Sequence, residues 1–256
     1  MKGTNRVGLW TLTSREVGRF FAVYRQTILP GLISSTLYIL IFGFTLQQRI
    51  SEINGVPYTL FIIPGLIMMN TLTNASSNSA SSMLQMKLLQ QIQDILTAPL
   101  SSTEISLAYI IGGTVRGVVN GILILLLGIF LIGMPVQHPI LTIVFIVMIS
   151  WAFAAMGLVL GQLSDSWDML AMMQNFILTP LSFLGGIFYS INMLPDWAQV
   201  ISHINPIYYM INGMRYTILG VYDSSPAVSF SMGLLLTTVF TVIAMLFMRS
   251  GKKLKV

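Results

Sequence analysis

Residues 105–132, ISLAYIIGGTVRGVVNGILILLLGIFLI, hold a single charged side chain, Arg116. A helix needs about 20 apolar residues to cross a hydrocarbon core about 30 Å thick. This stretch meets that requirement, and residues 138–161 meet it again after one tight turn. Further apolar stretches lie at 31–46 (with Leu29 and Pro30), 58–80, 169–191 and 228–248. The fold class expected is therefore an all-α polytopic membrane protein with six transmembrane helices in a single domain, 1–256. Composition agrees: 8% of the residues are charged and 55% hydrophobic, where soluble domains carry about 25% charge. That excludes an ordinary soluble enzyme and a nucleic-acid binder in free solution. The absence of cysteine excludes thiolate metal sites and a Cys nucleophile.

The N-terminus does not read as a secretory signal. The first long apolar run starts near Leu29, behind Lys2, Arg6, Arg15, Arg19 and Arg25, with no small-residue cleavage site after it. Residues 13–29, TSREVGRFFAVYRQTIL, instead put Val17, Phe20, Phe21, Tyr24 and Ile28 on one face at helical spacing. An amphipathic interface helix with its cations on anionic lipid is expected there. The N-terminal cations and the tail cations Arg249, Lys252, Lys253 and Lys255 outnumber Arg49 and Arg215 nine to two. By the positive-inside rule both termini are cytoplasmic. Loops 83–104 and 162–168 are then inside, and 47–57, 133–138 and 192–227 outside.

Sequences for the usual energy sources are missing. There is no G-x-x-x-x-G-K-[ST] phosphate loop and no H-E-x-x-H. His138 and His203 flank external turns and read as interfacial or capping residues. The spans are nearly bare of charge, which argues against proton- or sodium-coupled transport. Arg116 lies twelve residues past Glu104, about 18 Å along a helix. It reads either as a side chain snorkelling to the inner headgroups or as a charge facing a pathway. Glycines recur four apart at Gly113, Gly117 and Gly121, and at Gly157 and Gly161. Such spacing lets helices approach closely, within one chain or across a dimer seam.

Residues 70–82, NTLTNASSNSASS, form a polar stripe through Asn70, Asn74 and Asn78. In lipid that stripe must face other helices or water. Residues 84–98, LQMKLLQQIQDILTA, read as a short cytoplasmic helix ended by Pro99, suited to a partner's groove or to the inner leaflet. Residues 193–220 read as two half-helices split at Asn205-Pro206, a re-entrant hairpin in the outer leaflet.

Three segments resemble the ABC-2 type transporter permeases. Residues 179–215, TPLSFLGGIFYSINMLPDWAQVISHINPIYYMINGMR, carry that family's Pro-containing fifth span, Gly-rich centre, Leu-Pro with Trp, then Asn-Pro and Arg. Residues 91–105, QIQDILTAPLSSTEI, are similar to its coupling helix and capped third span, and the basic N-terminal helix runs into Leu29-Pro30 and Phe42-Gly43. The resemblance implies two permease chains, here a homodimer, working with two separate ATP-binding subunits, usually as an exporter in a bacterial inner membrane. ATP and Mg would then sit in the partner, and this chain would be no enzyme and hold no cofactor. The expected ATPase-coupling residues are Gln91, Ile92, Asp94, Ile95, Leu96, Arg15, Glu16 and Asp165, although Asp165 also suits a cap on the fifth helix. The expected pathway residues are Asn70, Asn74, Asn78, Asn175, Phe183, Phe188 and Tyr189. A non-transporting scaffold or sensor is the alternative. A membrane enzyme lacks any convergent acid, base or nucleophile cluster.

Overall fold

A computed structural model describes residues 5–45 and 49–251. Lys2, residue 46 at the expected end of the first span, the start of loop 47–57 and the tail lysines 252, 253 and 255 lie outside the described residues.

The first helix, α1, is Arg6–Ala22, capped by the Asn5 side chain, which accepts from the Gly8 N–H. Val23 leaves helical geometry (φ −114°, ψ 25°), and α2 runs Tyr24–Tyr38 before a π-type turn, Ile39–Phe44. The interface helix expected at 13–29 is thus corrected. Its first half belongs to α1, while Tyr24 and Ile28 open the next helix. Two short strands follow, β1 (Glu52–Ile53) and β2 (Val56–Pro57), in antiparallel register. Asn54 and Gly55, with φ of 53° and 76°, make the left-handed hairpin turn that joins them.

The third helix, α3, is Tyr58–Leu88, 31 residues without a break. Residues 84–98 therefore do not form one separate helix. Met83 to Leu88 are all good helix formers and simply continue the span. The chain breaks at Leu89–Gln91, where Gln90 takes φ 58°, and α4 is only Ile92–Thr97. Then come α5 (Ser102–Ile132), started by a Ser101/Glu104 capping box, and α6 (Pro139–Leu163). The next run is shorter than the expected 169–191. It comprises α7 (Trp167–Met173), a π-type turn (Gln174–Leu178) and α8 (Thr179–Leu184). Gly185 and Gly186 stop it, the latter at φ 81°, a conformation that glycine alone adopts cheaply. The half-helices are α9 (Asp196–Ile204) and α10 (Pro206–Leu219), with Asn205 capping the second. The last helix is α11 (Pro226–Ser250).

Among the described residues, four stretches are long and apolar enough to cross a membrane: Tyr24–Gly43, Ser102–Ile132, Pro139–Leu163 and Pro226–Ser250. This is a mostly helical, multi-pass membrane protein. α3 is long enough but half polar, and the 167–184 run is interrupted by its π-type turn.

α3 is the central helix, packed most extensively on α6 and α5. Its Ser- and Ala-rich half makes this possible. A Cβ at Gly113, Gly117 or Gly121 would meet Ser79, Ala75 or Thr71 of α3. One at Gly157 or Gly161 would strike the backbone of Ser76 or Ala80. Both glycine series are therefore used within the chain, leaving neither free as a dimer seam. The valine variant Gly157→Val should cost about 1–3 kcal/mol by overpacking, read as a lower unfolding temperature in detergent. Gly18→Val, where nothing lies within 4 Å, is the control and should shift it little.

Candidate functional site

Chemistry-bearing side chains gather in two places. The first is the end of the bundle that carries α1 and α4. α1 buries Leu12, Glu16 and Phe20, one every fourth residue. The stripe includes a carboxylate, so Glu16 is an internal anchor and not an open contact. Its Oε2 accepts from the Ser82 hydroxyl of α3 at 2.5 Å, and its Oε1 pairs with Arg15 at 2.8 Å. Arg19 lies 3.7 Å from Oε2 and donates to the Asn78 backbone and side-chain oxygens. Burial pulls the Arg19 guanidinium below its ordinary pKa, with the Glu16 charge opposing. Asn78 is thus buried where α3 meets α1. Glu16→Gln keeps the Ser82 contact but removes the charge facing two guanidiniums. It should cost about 1–3 kcal/mol, seen as earlier thermal unfolding of the purified chain.

α1 is also tied to the start of α5. The Asn5 N–H donates to Glu104 Oε1 at 2.6 Å, and its side-chain amide donates to the Pro99 carbonyl. Between α1 and α4 lies a groove of about 430 Å³, lined by Val7, Thr11, Leu12, Arg15, Asp94 and Ile95 among others. On α4, Ile92 and Ile95 are buried, whereas Asp94, Leu96 and the preceding Gln91 are exposed. The five expected coupling residues at 91–96 therefore divide into two anchors and three outward residues. Asp165 is half-buried and pairs with Lys87 at 3.4 Å. The Lys87 ammonium also donates to the Gln162 and Ser164 carbonyls, closing the end of α6. The cap of the following helix is Ser166, which accepts from Met169, and not Asp165.

The second place is a polar pair of cavities that meet at Arg116. One, about 310 Å³, lies between α2 and α3 and is lined by Gln26, Ser34, Asn70 and Asn74 together with Arg116. The other, also about 310 Å³, lies between α3 and α7, with Ser77, Ser81, Trp167, Gln174 and Arg116. Arg116 Nε donates to Asn74 Oδ1 at 3.1 Å. Asn70 donates to Ser35, and Asn120 donates to the Arg116 carbonyl. Asn70 and Asn74 thus share a cavity that Asn78 does not. Asn175 is exposed on the π-type turn.

Towards the other end, Phe188 packs against Tyr38, Phe42 and Phe183, and Tyr38 against Phe42, ring centres 5.3–5.9 Å apart. Tyr189 donates to the Phe183 carbonyl, and Tyr58 to that of Phe188. Tyr38 and Phe42 were invisible as partners in the sequence, because the contact joins residues far apart in the chain. Among the described residues no three His, Cys, Asp or Glu side chains cluster as a metal site.

The ABC-2 type transporter family matches residues 7–219. "Inner membrane transport permease YadH" of Escherichia coli (strain K12) is 36% identical over 249 residues, covering 97% of each chain. "Nodulation protein J" of Rhizobium leguminosarum bv. viciae is 28% identical over 210 residues, 76% of this chain and 75% of its own. That of Sinorhizobium fredii (strain NBRC 101917 / NGR234) is 22% identical over 178 residues, 69% and 68%.

Proposed function

Because this chain belongs to the ABC-2 type transporter family, we propose that it is the membrane subunit of an ATP-binding-cassette exporter in a bacterial inner membrane. Two copies work with two separate ATPase subunits, which hold ATP and Mg. The substrate is amphipathic or lipid-linked: a drug, a lipid or a polysaccharide. Six helical stretches cross the membrane, the four most apolar ones together with α3 and the 167–184 run. Both termini are cytoplasmic, so the α1 end is the inner end.

The observation that carries this reading is the exposed edge of α4, Gln91, Asp94 and Leu96, beside the groove that α4 shares with α1. An ATPase seated there pushes on Ile92 and Ile95, whose side chains reach into the bundle. The Asn5–Glu104 and Glu16–Ser82 bonds pass that push to α5 and α3. Substrate enters at the Arg116 cavities and leaves past the Tyr38, Phe42, Phe183 and Phe188 rings. The partner to test is a phosphate-loop ATPase, sought in the reading frames that neighbour this chain's own. Tagged chain should co-purify with it from detergent as a two-plus-two complex. A chain that purifies alone while that ATPase elutes separately is a scaffold or sensor and not a transport subunit.

A further inference from the structure

Arg116 carries a full charge at membrane depth, and none of the ion pairs among the described residues includes it. Charges there are costly unless paired or facing water. Among the described residues, its one side-chain hydrogen bond uses Nε, to a neutral amide. The two cavities it lines contain no carboxylate. They do contain donors in surplus. Gln174 Nε2 is buried with no partner, while its Oε1 accepts from Ser77 at 3.4 Å. Asn74 Oδ1 is already taken by Arg116. A site with an uncompensated guanidinium, an orphaned amide N–H and no acid recognises an acceptor-rich anion.

Depth says where that anion comes from. α5 has 31 residues, about 46 Å, some 16 Å more than the hydrocarbon core. With Ile132 at the outer boundary, Arg116 lies about 24 Å in, roughly 6 Å short of the inner headgroups. A headgroup in the inner leaflet can reach it. Cavities of about 310 Å³ hold a head and not a whole lipid.

We propose that Arg116, with Gln174 Nε2 on one side and the cavity wall at Asn70 and Asn74 on the other, binds the oxyanion head, phosphate or carboxylate, of an amphiphile entering from the inner leaflet. This rests on the exporter reading and narrows its substrate class to anionic amphiphiles. The guanidinium takes two oxygens of the head as a fork, and Gln174 Nε2 gains its missing acceptor. The tail stays among the apolar faces of α2 and α7.

The test needs neither ATP nor the ATPase, so it is independent of the exporter reading. Full-length chain in phosphatidylcholine nanodiscs is titrated with radiolabelled dodecyl phosphate by equilibrium dialysis, with empty nanodiscs subtracted. Saturable binding is expected, at least tenfold weaker in Arg116→Gln and weakened less in Arg116→Lys, which keeps charge but loses the fork. Gly31→Leu is a second variant that leaves the charge untouched. A Cβ there already lies 2.7 Å from Asn70 Oδ1, so a leucine fills the α2 cavity and should also weaken binding. Dodecanol and inorganic phosphate should compete poorly. Equal binding by wild type, Arg116→Gln and Gly31→Leu overturns the proposal. Equal competition by inorganic phosphate overturns its amphiphile part. Binding that holds while the chain fails to join any ATPase would leave an anion site in a protein that is not an exporter subunit.

Discussion

Arg215→Ala is expected to lower the unfolding temperature of the purified chain by about 6–20 °C, from a loss of about 3–5 kcal/mol. The Arg215 side chain is 1% exposed. Its guanidinium carbon sits 3.8 Å from the Phe61 ring centre, and Nη2 donates to the Gly186 carbonyl at 2.9 Å. Nη1 lies 3.6 Å from Asp223 Oδ2, an oxygen with no hydrogen bond of its own. The other Asp223 oxygen accepts from Asn54 and Ser190. One cation thus ties α10 to α3, to the Gly185–Gly186 break and to the loop before α11. Truncation leaves the Asp223 carboxylate buried and uncompensated, which is where most of the cost arises. Adding Asp223→Ala to Arg215→Ala should therefore recover part of the loss, a coupling of at least 0.5 kcal/mol. A fall in Arg215→Ala no larger than about 0.5 kcal/mol, typical of an ordinary surface site, would show that this node does not hold the half-helices.

The second large effect falls on assembly. Asp94→Lys combined with Leu96→Asp should abolish co-purification with the ATPase while leaving the unfolding temperature within about 0.5 kcal/mol of wild type. Both side chains are exposed on α4, so their loss costs the fold little. Central interface residues are each worth about 2 kcal/mol or more when lost. Together with a reversed charge, two of them weaken a complex beyond what survives a column. Ile95→Ala is the contrast. Ile95 is buried and lines the groove under α4, so its variant should lose stability and assembly together. A double variant that still binds its ATPase would move the docking surface away from α4.

Much of the fold was legible from runs of apolar residues, because a bilayer demands long uninterrupted helices. Breaks were less legible. Val23 and Gln90 are ordinary residues whose geometry follows from packing, so the ends of α1 and α3 could not be read from residue type. Gly185-Gly186 was visible and did end a helix, yet the apolar Ile187 and Phe188 beyond it suggested that the span continued. The start expected at residue 13 fell inside α1, whose cap is Asn5. At the site, the Asn70/Asn74 pair could be read from spacing, because residues four apart share a face. Asn78 obeys the same spacing and still faces α1, since the stripe curves around α3 away from the cavities. Glu16 looked like a surface contact because acids rarely sit in a buried stripe. Only the placement of Ser82, Arg15 and Arg19 around it makes burial tolerable. Each Arg116 cavity needed three helices to be assembled before it existed.

The central claim is that this chain is driven by a separate ATPase through α4. The most direct measurement is the ATP hydrolysis rate of that ATPase in vesicles, alone, with the wild-type chain, and with the Asp94→Lys/Leu96→Asp variant. The account predicts a several-fold change in rate on adding the wild-type chain, absent with the variant. The same rate in all three preparations, with the chain folded and inserted, would contradict it.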